Sequence, residues 1–158
     1  GMGLALVYGE VDRSGTVDEP LARDPHNRTK RCVHSMGKPA ITHYDVVERF
    51  PGVTLLRCKL ETGRTHQIRV HMAHVRHPLI GDPLYGGGPR LPKGATQHLI
   101  TTLREFRRQA LHAERIEFAH PVSGATVTVQ SPRPADLDAL LGALREERAP
   151  IGPIAAAP

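Results

Sequence analysis

The stretch of sequence that decides the fold is LETGRTHQIRVHMAHVRHPLIGDPLYGG, residues 60–87. Its residue types predict the end of a strand, a tight turn, a short helix and a loop rich in Gly and Pro. Thr65 is the expected N-cap, because its hydroxyl can accept a hydrogen bond from a free amide of the first helical turn. Pro78 and Gly81 fix where the helix must stop, so we expect it at about residues 66–75.

The predicted helix has an apolar stripe on one side only. Ile68, Met72 and Val75 recur at i, i+4 and i+7, whereas Arg69 falls on a different face. We therefore expect Arg69 to project sideways from a helix whose back is anchored in the core. An arginine fixed in this way can bind a carboxylate or phosphate through two parallel N–H bonds. On pattern alone, the alternative that the basic residues only solvate the helix stays open.

The same stretch resembles the third signature of the RluA/RluD-type pseudouridine synthases, through TGRTHQIRVH at 62–71 and HPLIGDPLYGG at 77–87. Further strings look like the RluD branch in the same order: LALVYGE at 4–10, GTVDEPLARDP at 15–25, GKPAITHYDVVE at 37–48, LPKGA at 91–95 and FRRQALHAERIEFAHPVSG at 106–124. The resemblance covers nearly everything from Leu4 to about Leu144. It implies a cytoplasmic enzyme that isomerises uridine to pseudouridine in a stem-loop of large-subunit (23S) ribosomal RNA, with no cofactor and no metal.

The resemblance also implies roles for particular residues. Arg69 would pair with the family's catalytic aspartate and help to place the RNA phosphate. The wall of the uridine pocket would be formed by Gly63, Arg64, Thr65, His66, Gln67 and Tyr85. Asp82 is better interpreted as a turn or capping residue. A position for Arg69 in the core, or on a local acid away from any open groove, would count against these roles.

The family's aspartate lies in a His-Arg-Leu-Asp segment ahead of the strand that begins at Leu4, and this chain contains no such string. We therefore expect residues 1–148 to be the C-terminal part of a catalytic domain that is inactive alone, followed by a disordered tail at 149–158. The missing strands would leave apolar surface and a sheet edge exposed. Self-association is the expected consequence.

The charge balance suits an RNA partner without proving one, because Lys and Arg number 21 against 16 Asp and Glu. The basic residues form two groups along the chain: Arg23, Arg28, Lys30, Arg31 and Lys38, then Arg90, Lys93, Arg104, Arg107 and Arg108. All except Arg23 and Arg104 are put forward as contacts to the RNA backbone. Solvated loops are the competing interpretation of both groups.

The pattern of the whole chain predicts an α+β fold with a mixed, mainly antiparallel β-sheet and few helices. We expect strands at residues 4–11, 29–34, 40–50, 53–61, 109–113, 115–119 and 125–130, and further helices at 97–106 and 135–147. A hairpin around Pro51-Gly52 would place five side chains in the core: Val46, Val47, Leu55, Leu56 and Leu60. The helix at 135–147 would lie on the sheet through Leu137, Leu140, Leu141 and Leu144.

Other classes of protein are less compatible with the sequence. Cys32 and Cys58 cannot build a disulfide framework, so we expect buried, reduced thiols. No apolar run approaches the ~20 residues of a membrane span. A metal site at His66, His71, His74 and His77 lacks the HExxH arrangement, and we expect no metal. A non-catalytic RNA-binding module, or a domain that only folds, remains as an alternative.

Overall fold

A six-stranded antiparallel sheet is the centre of the structure, a computed structural model that describes residues 1–148. In chain order the elements are β1 (Met2–Tyr8), β2 (Gly15–Asp18), β3 (Leu21–Arg23), β4 (Arg31–Val33), β5 (Ile41–Phe50), β6 (Val53–Leu60), α1 (Gln67–His74), α2 (Gln97–Glu105), β7 (Leu111–Ala119), β8 (Thr126–Gln130) and α3 (Ala135–Arg148). The strand order of the main sheet is β2-β5-β6-β1-β7-β8, and β3 and β4 form a separate hairpin. The predicted α+β class is confirmed. The predicted tail lies outside the described residues.

The core has two layers, one on each side of β1, because successive side chains of a strand point to opposite faces. Leu4 and Leu6 belong to the cluster that α2 and α3 cover. Ala5 and Val7 belong to the cluster that α1 covers. A strand buried on both faces needs the continuous apolar run that LALVY supplies.

Helix α3 packs as its periodicity predicts. Its four leucines at helical spacing are all buried in the core layer that contains Leu4 and Leu6: Leu137, Leu140, Leu141 and Leu144. Full burial of one such side chain stabilises a fold by roughly 1.5–3 kcal/mol. The predicted helix over residues 97–106 is also confirmed by α2, and its Leu99, Leu103 and Phe106 are buried.

Two β-bulges explain two of the errors in the predicted strands; the different bounds of β1 and the unpredicted strands β2 and β3 are separate errors. The register between β5 and β6 shifts between Val46 and Glu48, and Val47 is 40% exposed instead of belonging to the core. On β7, Gly3 pairs with Ala113 but Met2 pairs with Arg115, so Glu114 is the extra residue. The chain continues through this bulge as one strand, not as the two predicted. A bulge interrupts the alternation of side chains, which is the signal that sequence patterns rely on.

The cysteines differ in environment. Cys58 is buried on β6, and burial raises the pKa of its thiol to about 12. Cys32 on β4 is only partly buried, contrary to the prediction. Both are free thiols. Over residues 1–148, no helix combines the length and the apolar character that crossing a membrane requires.

Candidate active site

Helix α1 begins later than predicted and without the expected cap. The N-cap residue is His66, which has a left-handed φ of 56° and makes no side-chain capping bond, so the proposed role of Thr65 was wrong. Ile68 and Met72 are buried in the core layer that contains Ala5 and Val7 of β1, and Val75 packs at the margin of that layer, as predicted. The stripe therefore anchors the helix, while its start is fixed by other contacts.

Gln67 supplies those contacts. Its Oε1 accepts hydrogen bonds from the Thr62 hydroxyl (2.8 Å) and the Arg64 amide (3.0 Å). Its Nε2 donates to the Ile41 carbonyl (3.0 Å) and to Thr42 Oγ1 (3.1 Å). These bonds satisfy both polar ends of a buried amide. Gln67 thus fastens the turn and the helix start to β5.

Arg69 makes an ion pair with Asp82 that sequence analysis missed. Its Nε and Nη2 donate to the two carboxylate oxygens of Asp82, each at 2.8 Å, and both side chains are nearly inaccessible. Within residues 1–148, Nη1 of Arg69 has no hydrogen-bond partner. The only acids of the deciding stretch are Glu61 and Asp82, and this scarcity was the one signal that could have indicated the pair.

Asp82 is oriented from its own loop as well. Its Oδ1 accepts the amide hydrogens of Leu84 (2.9 Å) and Tyr85 (3.1 Å), which confirms the expected turn role. Burial opposes ionisation of the carboxyl, but the bonds from Arg69 and the two amides outweigh it and lower the pKa of Asp82. The hydrogen bond to Asp82 raises the pKa of Arg69 in turn. The pair is therefore charged and fixed.

Tyr85 joins three parts of the structure. Its hydroxyl accepts the Arg31 amide hydrogen (2.9 Å) and shares a hydrogen bond with His66 Nδ1 (2.8 Å). The Arg69 guanidinium lies 5.1 Å from the ring centroid, and Lys30 Nζ lies 5.5 Å from it. Burial, followed by the charges of Arg69 and Arg31, lowers the pKa of His66. Tyr85 therefore ties β4 to the start of α1 and to Arg69.

Two open clefts meet at Arg64. The first, here called the Arg69 cleft, has a volume of about 290 Å³ and is lined by Arg64, His66, Gln67 and Arg69 among others. The second, called the hairpin cleft, has a volume of about 530 Å³ and lies between the β3–β4 hairpin and residues 63–65. The predicted pocket residues Gly63 and Thr65 line this second cleft. Tyr85 lines neither.

Arg69 is buried and pairs with a local acid, and both observations were set against its role. It nevertheless lines an open cleft instead of lying away from one. Its pairing with an aspartate from outside the chain remains a prediction.

The predicted RNA-backbone residues divide by environment. Arg31 and Lys38 line the hairpin cleft. Arg107, with Arg104, lines a separate groove beside the loop at residues 86–88. Arg90 lies 5.6 Å from the ring centroid of Tyr8, and Arg28 and Lys93 are exposed.

Arg108 is used differently from the rest of its group. Its Nε and Nη2 donate to the carboxylate of Asp136 at 2.8 and 2.9 Å, and its guanidinium packs over Phe106. These contacts join the chain before β7 to the start of α3. The geometry therefore favours a structural role for Arg108 over contact with RNA.

The described part of the chain contains no group of three or more His, Cys, Asp or Glu arranged to hold a metal ion. Two of the four histidines of the deciding stretch bind backbone carbonyl groups instead. His71 Nε2 bonds to Glu19 O (2.9 Å) and its Nδ1 to the Thr42 hydroxyl (2.8 Å). His77 Nδ1 bonds to Tyr8 O (2.9 Å).

Comparison with known proteins identifies the class. The family model described as RNA pseudouridylate synthase matches residues 4–74. The structure of human RNA Pseudouridylate Synthase Domain Containing 1 aligns with a TM-score of 0.63 and 29% identity, over 94% of this chain and 66% of that one. Human RNA Pseudouridylate Synthase Domain Containing 4 shares the fold, with a TM-score of 0.65 over 91% of this chain and 61% of that one, at 22% identity. The chain belongs to the RNA pseudouridylate synthase family.

Its relatives place it in one branch of that family. It is 56% identical over 146 residues to ribosomal large subunit pseudouridine synthase D of Xanthomonas campestris, and this match covers 92% of this chain. It is 54% identical over 143 residues, 90% of this chain, to the protein of the same name from Escherichia coli K12. In both cases the match spans 44% of the relative, so the chain corresponds to less than half of the length of these relatives.

Proposed function

We propose that this chain is part of a cytoplasmic enzyme that isomerises uridine to pseudouridine in large-subunit (23S) ribosomal RNA. The observation that carries the proposal is Arg69, held by Asp82 in the wall of an open cleft. The names of the relatives supply the reaction and the substrate class. The proposed domain is residues 1–148, as a part of a longer catalytic domain.

The proposed reaction breaks the glycosidic bond, turns the uracil over and forms a carbon–carbon bond to its C5. The target base must leave the RNA stack before these atoms can be reached. Asp82 is a poor candidate for the carboxylate that acts on it, because both of its oxygens are bound to Arg69 and the carboxylate is buried. We therefore propose that the acting aspartate comes from outside this chain, and that the chain alone is inactive.

Arg69 would have an orienting role in that site. A guanidinium whose Nε and Nη2 are fixed by Asp82 has little rotational freedom left, so its free edge is preorganised. Such an edge can donate to a carboxylate or to an RNA phosphate that enters the Arg69 cleft. His66, Gln67 and Arg64 would form the adjoining wall.

The test compares residues 1–158 with a protein extended upstream to the full length of its relatives. Each is incubated with a transcript of a large-subunit ribosomal stem-loop, and pseudouridine is quantified in the RNA. We expect product with the extended protein and none with residues 1–158. An extended protein that binds the transcript but forms no pseudouridine would support the alternative, a non-catalytic RNA-binding module.

We also propose that residues 1–158 associate with themselves. Ile116, Phe118 and Val129 leave 44–48% of their surfaces exposed on the β7–β8 hairpin, and β8 is a sheet edge that carries no charged side chain. Pairing of Ile116 with Val129 across the hairpin places their side chains on one face. Sedimentation should show oligomers at about 100 µM, and a monomer at that concentration would count against this proposal.

A further inference from the structure

The hairpin cleft is lined by cations and by no acid. Arg23, Arg31, Lys38 and Arg64 all contribute to its surface. Asp24, the acid next to Arg23 in the sequence, uses Oδ1 to accept the amide hydrogens of His26 and Asn27. The cleft therefore presents positive charge without a lining carboxylate to neutralise it.

Half of the fourteen arginines that do not line the cleft are neutralised. Seven arginines make ion pairs with Asp or Glu in the described structure: Arg57, Arg69, Arg108, Arg115, Arg133, Arg145 and Arg148. Within residues 1–148 no ion pair involves Arg23, Arg31, Lys38 or Arg64. Repulsion among uncompensated cations opposes such a cluster unless an anionic ligand offsets it.

Backbone carbonyl groups hold two of these cations in place. Arg64 Nε donates to Pro39 O (3.0 Å), and Arg31 Nη1 lies 3.3 Å from Lys30 O and 3.4 Å from Arg28 O. These contacts orient the guanidinium groups without cancelling their charge. The remaining guanidinium N–H groups can then donate hydrogen bonds to an anion that enters the cleft.

The floor of the cleft is rigid. The backbones of Leu21 and Lys38 exchange two hydrogen bonds of 2.8 and 2.9 Å. Gly37 packs so closely that an added Cβ would lie 2.5 Å from the Leu21 carbonyl. On the rim, Met36 is 86% exposed and offers a flexible apolar surface that can cover a base or ribose.

We infer that the hairpin cleft binds the sugar–phosphate backbone of single-stranded nucleotides beside the target uridine. This inference rests on the proposed function, because it takes the Arg69 cleft as the uridine site. Arg64 lines both clefts, so one RNA strand can pass from one to the other across it. Arg23, which was not among the residues predicted to contact RNA, is then an additional phosphate ligand.

The test uses residues 1–158 and a fluorescent single-stranded oligouridylate of about ten nucleotides. Binding is measured by anisotropy at several KCl concentrations. The cleft variant is Arg23→Gln/Lys38→Gln, whose two native side chains are exposed and are not needed for packing. The matched control is Arg13→Gln/Lys59→Gln, which removes one Arg and one Lys charge from exposed positions that do not line the cleft and that make no ion pair within residues 1–148.

We expect the cleft variant to bind at least about tenfold more weakly, with a salt dependence reduced by about 1.4 in log–log slope, since each single-strand phosphate contact contributes about 0.7. The control should stay within about threefold of the unmodified chain. A second variant, Arg23→Lys/Lys38→Arg, keeps both charges and should bind like the unmodified chain.

Equal weakening of the cleft variant and the control would overturn the inference, as would an unmodified chain that binds no oligouridylate. The proposed isomerase function would survive either result, because it is tested separately by pseudouridine formation. If the extended protein formed no pseudouridine while the cleft variant still bound more weakly than the control, the hairpin cleft would stand as an RNA-binding site without the isomerase function.

Discussion

At the scale of single residues, the ion pair of Arg69 and Asp82 is the feature on which the candidate site depends. Two charges are buried together: the Asp82 carboxylate accepts hydrogen bonds from Arg69 and from two loop amides, whereas Arg69 donates to Asp82 through Nε and Nη2 and, within the described residues, keeps its other edge free. Such pairs are poor sources of net stability, but removing one partner leaves the other charge uncompensated. The pair is therefore sensitive to substitution, and it is suited to holding the Arg69 guanidinium in one orientation.

Replacement of Asp82 tests this reasoning. We predict that Asp82→Ala lowers the free energy of unfolding by about 3–5 kcal/mol, because it leaves a buried guanidinium without its partner. Urea denaturation monitored by circular dichroism gives the value. Glu117→Gln is the control, since its ion pair with Arg115 is exposed and should contribute less than about 1 kcal/mol. Similar small effects of both variants would contradict a fixed pair.

His71 gives a pH dependence of known sign. Burial is the main cause that lowers the pKa of His71, ahead of the charge of His74. Below about pH 6.5 the unfolded chain takes up a proton at His71 that the folded chain does not. The free energy of unfolding should therefore fall as the pH drops from about 6.5 to the folded pKa, by up to about 1.4 kcal/mol per pH unit.

The measurement compares the unmodified chain with His71→Asn at pH 7.5 and at lower pH by urea denaturation. The unmodified chain should lose more stability on acidification, because the variant has no imidazole to protonate. Equal losses in the two proteins would show that His71 is not the group responsible.

At the scale of elements, sequence patterns predicted the β5–β6 hairpin from its Pro51-Gly52 turn, and predicted α2 and α3 from their helical periodicity. The same patterns placed Val47 in the core and broke β7 at Glu114, since a bulge changes the side-chain alternation without a residue type that marks it. The start of α1 was misplaced for a different reason. Gln67 fixes it through contacts to β5 that lie far away in the sequence.

Helix α3 offers a matched pair of substitutions. Leu140→Ala should lower the free energy of unfolding by about 2–5 kcal/mol, because Leu140 is fully buried against the sheet. Gly142→Ala should raise it by about 0.5–1 kcal/mol, because an added Cβ meets no atom within 4 Å and alanine favours the helix. Thermal and urea unfolding report both values. If α3 packs as described, the two substitutions must change the free energy of unfolding in opposite directions.

At the scale of the whole molecule, the fold brings together residues that the sequence had linked to one reaction, but in two clefts rather than one pocket. Arg64, His66 and Gln67 surround Arg69, whereas Gly63 and Thr65 belong with the basic hairpin. Sequence analysis could assign these residues to a site because the signature is contiguous. It could not divide them, because the division depends on how β3 and β4 fold over the turn.

The central claim is that the fork of Arg69, fixed by Asp82, is needed for the chemical step. The most direct test is the single-turnover rate of pseudouridine formation by Arg69→Lys in the protein extended to the length of its relatives. Lysine keeps the charge and a partner for Asp82, but it loses the planar, bidentate geometry. We predict a rate at least about 100-fold lower, with RNA affinity within about threefold of the unmodified protein. A rate within about threefold of the unmodified protein would contradict the account.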